Sequence, residues 1–295
     1  KFGSVIAVDN VEFNIREGEI FGFIGPSGSG KTTAMRMLCG ILVPSSGSGK
    51  VGKFDIISES EKIKTIIGYT AQSFSLYEDL TVEENIEFYS SIYGNKASVI
   101  QVSSLLETFR ISQYRKTLAA NLSGGTKQKL AMICAVSHQP RILFLDEPTA
   151  GIDPLSSREI WAMLYEFTKS GISIFVNTHL MNEAEHCNQL SFLYQGKIIA
   201  HGSPETLKRD VISEKTLEVR AGVPLIHLIG DFQQMKGVID VYTSGEFLHI
   251  TTKNSSIVSE HIDSYAQEKN LKIETAEVLP SLEDVFVNLT RNMDS

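Results

Sequence analysis

The stretch Ile20-Phe-Gly-Phe-Ile-Gly25-Pro-Ser-Gly-Ser-Gly30-Lys-Thr-Thr33 decides the fold. Ile20 to Ile24 is a short apolar run of the length of a buried strand. It runs into Gly25 to Thr32, which fits G-x-x-x-x-G-K-[ST], and a helix is predicted from Ala34 to Cys39, closed by Gly40. Glycines in such a strand-to-helix loop let the backbone wrap closely around a polyphosphate. The amides of Ser27, Gly28, Ser29, Gly30, Lys31 and Thr32 then point inward, with Gly25, Pro26 and Thr33 completing the cradle. Lys31 supplies a point charge for the terminal phosphates, and the helix start adds about half a positive charge. The bland alternative is a Gly/Ser-rich turn before a helix. Gly47-Ser-Gly-Lys50 repeats the letters, but no strand precedes it and Val51 replaces the hydroxyl residue, so it reads as a plain loop.

Further along, Ile142-Leu-Phe-Leu-Asp146-Glu147-Pro148 reads as a buried strand ending in acid. After the glycine loop this is a Walker B strand, and the two together indicate a P-loop nucleoside triphosphatase. Asp146 and the Thr32 hydroxyl would hold Mg2+ at the carboxyl edge of the sheet, and Glu147 would act as general base or orient water at the γ-phosphate. A strand ending at a solvated acidic turn is the alternative. Around these motifs the pattern predicts a hairpin (4–8 with 11–15), helices at 82–93, 99–109, 126–137 and 156–170, strands at 142–145 and 173–177, and a hairpin of 189–194 with 197–201. Strands alternating with helices indicate an α/β protein with a mainly parallel sheet.

Outside the motifs, composition supplies limits. Apolar residues make up 42% and charged residues 21% of the 295, ordinary for a chain that buries a core. A net charge of −8 disfavours a broad nucleic-acid-binding face, while a local phosphate site remains compatible. The acid is uneven: residues 211–295 hold 13 Asp/Glu against 7 Lys/Arg, a net of −6. That segment reads as strand, helix, strand, strand, helix, strand (215–278), a βαββαβ ferredoxin-like order, with a last helix from Ser281 to Thr290. The expected domains are therefore 1–210 and 211–295. Cys39, Cys134 and Cys187 are widely spaced and odd in number, which reads as reduced thiols and a cytoplasmic setting. No apolar run approaches the roughly 18 residues of a membrane helix and no secretory signal opens the chain. The absence of an initiator Met reads as a processed chain or a fragment.

Asn121-Leu-Ser123-Gly124-Gly125-Thr126 opens a predicted helix, and Ser with two glycines there makes a second anion site. Ser123 as a simple N-cap is its bland reading. Leu-Ser-Gly-Gly shortly before a Walker B strand resembles the signature of the ABC ATPases, and other marks of that family follow in order across residues 1–210. Gln72 resembles the Q-loop glutamine that contacts Mg2+, Ala150-Gly-Ile-Asp153 the D-loop, and His179 the switch histidine that bonds the γ-phosphate. Phe2 lies about where an aromatic stacks on adenine. Each has a plain rival: a surface glutamine, turn chemistry before Pro154, a surface histidine, a core-filling Phe. Position 126 is Thr where the signature commonly has Gln; backbone donors at 123–125 survive the change. The family's first β-strand would be ending where this sequence begins.

The resemblance implies ATP and Mg2+ as ligands, and an α/β cassette with a mainly parallel core sheet, an antiparallel β part, a helical subdomain and the appended α+β module. It also implies a head-to-tail pair with ATP between Lys31 of one cassette and Ser123 of the second, and a transmembrane permease that the pair drives from the cytoplasmic face. Pro280-Ser-Leu-Glu-Asp-Val-Phe286, the stretch 18–25 and Phe74-Ser-Leu-Tyr77 are similar to ATPases of drug- and antibiotic-resistance exporters. A terminal helix packing on its own domain is the alternative for the tail. An ABC ATPase of translation or DNA repair is the rival function. The 51 residues from 72 to 123 lack the heptads a repair-type coiled coil needs, and one acidic cassette does not match the translation type.

Overall fold

The structure is a computed structural model that describes residues 1–72, 76–93, 99–211 and 214–294. The chain divides into two compact units, Lys1–Ser203 and Pro204–Ser295. In chain order the first unit contains β1 (Ile20–Ile24), α1 (Lys31–Leu38), β2 (Lys50–Val51), β3 (Phe54–Asp55), α2 (Ser60–Ile66), β4 (Ile67–Thr70), α3 (Val82–Ile92) and α4 (Val99–Thr108). It continues with α5 (Gly124–Val136), β5 (Ile142–Asp146), α6 (Pro154–Lys169), β6 (Ser173–Thr178), α7 (Met181–Ala184), β7 (Gln189–Tyr194) and β8 (Lys197–Gly202).

Six strands form the main sheet in the order β4-β5-β6-β1-β7-β8. All neighbours pair in parallel except β7 with β8. That last pair turns at Gln195-Gly196, both at positive φ (48° and 81°), as a tight hairpin turn requires. Every residue of β1 and of β6 is buried, which is why both read as apolar runs without alternation. Phe175 of β6 is the hub of the core on one side of the sheet: its ring lies 5.0 Å from Phe23, 5.4 Å from Phe144 and 5.5 Å from Phe21. Each such fully buried Phe contributes about 1.5–3 kcal/mol of transfer free energy. Because β4, β5, β6 and β1 run the same way, their carboxyl ends share one edge, where ligands of open α/β sheets bind.

Helix starts follow local chemistry. Thr81 and Glu84 form a reciprocal capping box on α3. The Asp153 carboxylate accepts from the Ser156 amide at 2.9 Å and Pro154 fills the first position of α6.

The hairpin expected over 4–8 and 11–15 is not formed. Among the described residues this segment has a single bridge, Phe2 to Val5, and the Asp9 amide donates to Gly196 O at 2.8 Å. Val8, Val11, Phe13 and Ile15 pack on the core cluster. Their alternation reflects one-sided burial; the backbone has no ladder partner.

The second unit has α8 (Pro204–Asp210), β9 (Lys215–Ala221), α9 (Ile226–Gln233), β10 (Val238–Ser244), β11 (Phe247–Thr252), α10 (Ser255–Lys269), β12 (Ile273–Val278) and α11 (Leu282–Asp294). Its strands order β10-β11-β9-β12, all antiparallel, the ferredoxin-like arrangement of a βαββαβ chain. Val219, Phe232, Leu248, Ile250 and Ile262 fill its core. The expected division after residue 210 falls at the far end of α8, which packs with α11 and so goes with the second unit. Cys39, Cys134 and Cys187 are buried and unpaired. Among the described residues no helix is long and apolar enough to cross a membrane.

Candidate functional site

The loop from Gly25 to Gly30 joins the buried end of β1 to α1. A Cβ on Gly25 would lie 2.1 Å from Leu193 O, and one on Gly30 (φ 106°) would lie 2.2 Å from Ala7 O, so only glycine fits either position. Ser29 is pinned: its amide donates to Pro26 O at 3.2 Å and its carbonyl accepts from the Gly196 amide at 3.0 Å. Among the described residues the amides of Ser27, Gly28, Gly30, Lys31, Thr32 and Thr33 have no hydrogen-bond partner within the protein. They form a row of donors at a helix N-terminus, an arrangement suited to phosphate. Lys31 is buried, and its Nζ donates to Gly25 O at 2.7 Å and Pro26 O at 3.0 Å. Burial lowers its pKa, while Glu147 and Asp146 oppose the shift.

Asp146, the buried last residue of β5, faces this loop. Its Oδ1 accepts from Thr32 Oγ1 and from Asn177 Nδ2, each at 3.3 Å. Burial raises the Asp146 pKa, and the Asn177 and Thr32 bonds partly offset it. Thr32 and Asp146 thus place two hard oxygen donors side by side, which suits a divalent cation such as Mg2+. Glu147 follows at φ 54°, a left-handed conformation unusual for a residue with a side chain. Its amide donates to Asn177 O at 2.8 Å, and its Oε2 accepts from His179 Nδ1 at 2.7 Å. Glu147 is nearly buried while His179 is exposed, so the pair has one face in the fold and one in solvent.

The structure therefore brings together Lys31, Thr32, Asp146, Glu147 and His179. Gln72 follows β4 by two residues on the same sheet edge and is exposed. Ser123 is not part of this cluster. Its Oγ accepts from the Thr126 amide at 3.3 Å and lies 2.8 Å from Thr126 Oγ1, so it caps α5. None of its hydrogen bonds reaches residues 25–33. Gly124 is exposed, whereas a Cβ on Gly125 would meet Ser156 Oγ at 2.6 Å. The segment 123–125 is thus packed on the start of α6, beside Asp153. Phe2 is 54% exposed, which removes the core-filling reading. Phe74 and Ser75 lie outside the described residues.

Three polar residues escaped the reading of the sequence. Asn177 is fully buried and bonds Asp146; Thr149 and Glu183 are buried partners of each other. Asn177 directly precedes Thr178 and His179, so the end of the apolar strand was the available signal.

A family model described as ABC transporter matches residues 8–150. The chain is 41% identical over 236 residues to the probable multidrug ABC transporter ATP-binding protein YbhF of Escherichia coli (strain K12), covering 79% of this chain. It spans only 41% of the length of that relative. It is 34% identical over 294 residues to Nod factor export ATP-binding protein I of Rhizobium sp. (strain N33), covering 98% of this chain and 93% of the relative. Among solved structures it is similar to a dimeric ATP-binding cassette in a post-hydrolysis state bound to ADP and Pi. That match has a TM-score of 0.63 at 26% identity and covers 69% of this chain and 94% of that one.

Proposed function

The chain belongs to the ABC transporter family of ATP-binding proteins, and on that premise we propose that it hydrolyses Mg2+-bound ATP to power an exporter. The observation that carries this reading is the gathering of Lys31, Thr32, Asp146, Glu147 and His179 at one sheet edge, around a row of amides with no partner among the described residues. Those amides and Lys31 bind and orient the polyphosphate. Thr32 and Asp146, with Gln72, would hold Mg2+, which would neutralise charge on the phosphate oxygens. Water attacks the γ-phosphorus, the bond to the β–γ bridging oxygen breaks, and ADP leaves with the electron pair. Glu147 takes the water proton, and His179 contacts the γ-phosphate.

Ser123 lies apart from Lys31's hydrogen-bonded cluster yet presents exposed small residues at a helix start, which supports the head-to-tail pair. ATP is then held between Lys31 of one cassette and Ser123–Gly125 of a second. Loss of the γ-phosphate loosens the pair, and a transmembrane permease on whose cytoplasmic face the pair lies converts opening and closing into transport. The multidrug and Nod factor names of the relatives support export, with drugs, lipids or polymers as the cargo class. Residues 204–295 take a regulatory or pair-stabilising role. The exposed Phe2 ring is assigned to stacking on the adenine in this reading.

The test is phosphate release by the purified chain. It is expected to require Mg2+ and to fall to background when the cation is chelated. Turnover that is indifferent to chelation would remove Thr32 and Asp146 from the proposed roles.

A further inference from the structure

Glu183 is a buried carboxylate that the reaction above does not use. It is 1% exposed, on α7 just beyond His179. It accepts a hydrogen bond from the Thr149 hydroxyl. Its Oε2 has no partner among the described residues. Burial pushes its pKa up, with the Thr149 hydroxyl opposing.

The placement of Thr149 and of the neighbouring Thr178 is informative. Thr149 comes two residues after Glu147, and Thr178 immediately precedes His179. Thr178 Oγ1 also accepts from the Leu180 amide at 2.9 Å and lies 3.5 Å from Glu147 Oε2. Glu183, itself on α7 four residues after His179, thereby grips the chain beyond Glu147 through the Thr149 hydroxyl. Glu147 needs such a grip, because a non-glycine residue keeps φ 54° only where its surroundings over-determine it.

We propose that Glu183 is a positioning residue for ATP hydrolysis, stapling the turn after β5 to the end of β6 so that Glu147 and His179 stay in register. The inference rests on the ATPase reading above. Glu183 touches no phosphate and takes no proton; its effect passes through Thr149 and through α7.

The experiment measures kcat for ATP, calorimetric affinity for Mg2+-bound ATP and melting temperature on the full chain. Glu183→Ala is expected to lower kcat about 100-fold, the scale of a displacement of about 1 Å at a reacting group. Affinity is expected to stay within about threefold, since the phosphate cradle is untouched. Glu183→Gln keeps an acceptor for Thr149 and is expected to recover kcat to within about fivefold of the parent. Thr149→Val keeps the shape without the hydroxyl, so it serves where the alanine variant does not fold. It is expected to show the same split, with kcat down about tenfold. Parental kcat in Glu183→Ala overturns the proposal, and so does a parallel fall of kcat, affinity and melting temperature in all three variants. If the parent itself releases no phosphate, the ATPase reading falls. A parent that hydrolyses ATP beside an unaffected Glu183→Ala chain removes the positioning role alone.

Discussion

Turnover by a Glu147→Gln chain is expected to fall about 10³-fold, the mid-range loss for a general base and about 4 kcal/mol of barrier. Gln has the same shape, so the left-handed backbone, the bond from the Glu147 amide to Asn177 O and the cradle all persist. The lost property is proton acceptance: the amide group cannot take the proton that leaves the attacking water. It also presents a poorer acceptor to His179 Nδ1, now 2.7 Å from Oε2. Affinity for ATP is therefore expected to stay within about threefold, and melting temperature to stay unchanged. A rate within a few-fold of the parent would show that Glu147 is not the base.

Lys31→Met removes the charge and keeps most of the aliphatic stem. Two charge-assisted bonds, at 2.7 and 3.0 Å to Gly25 O and Pro26 O, mark where the ammonium is held at the loop. Against a polyphosphate, loss of that charge is expected to cost about 3 kcal/mol, or more than about 100-fold in affinity, and turnover falls with it. Without nucleotide the melting temperature is not expected to drop. Burial lowers the Lys31 pKa, so the buried ammonium costs the folded state stability at neutral pH. The signature of the variant is a melting temperature that ATP no longer raises, whereas the parent gains stability by ligand linkage. Parental ATP stabilisation in Lys31→Met would remove Lys31 from the site.

The legible parts of the fold and site share a property: their physics is local. Gly25 and Gly30 announce themselves because a backbone packed against Leu193 O and Ala7 O admits no Cβ, and Asp146 and Glu147 because acid at the end of an apolar strand is costly without a task. The ferredoxin-like unit is readable because each of its strands and turns signals within a few residues. What stayed hidden depends on long-range packing. Asn177 meets Asp146 only because β5 and β6 are neighbours, and Glu183 meets Thr149 only once α7 folds back on the edge. The segment 4–15 was misread because alternation records burial and says nothing about a ladder partner. Helix 204–210 goes with the second unit because it packs on α11, a contact between segments far apart in the sequence.

The role of Ser123 is the most consequential, since one chain contains both halves of the proposed site without joining them. The direct measurement is complementation between two variants, each expected to be inactive alone: Lys31→Met, with an intact signature, and Ser123→Arg, with an intact cradle. Random pairing makes half the pairs mixed, each with one complete site, so an equimolar mixture is expected to regain about a quarter of parental phosphate release. A mixture as inactive as its components would contradict the head-to-tail pair.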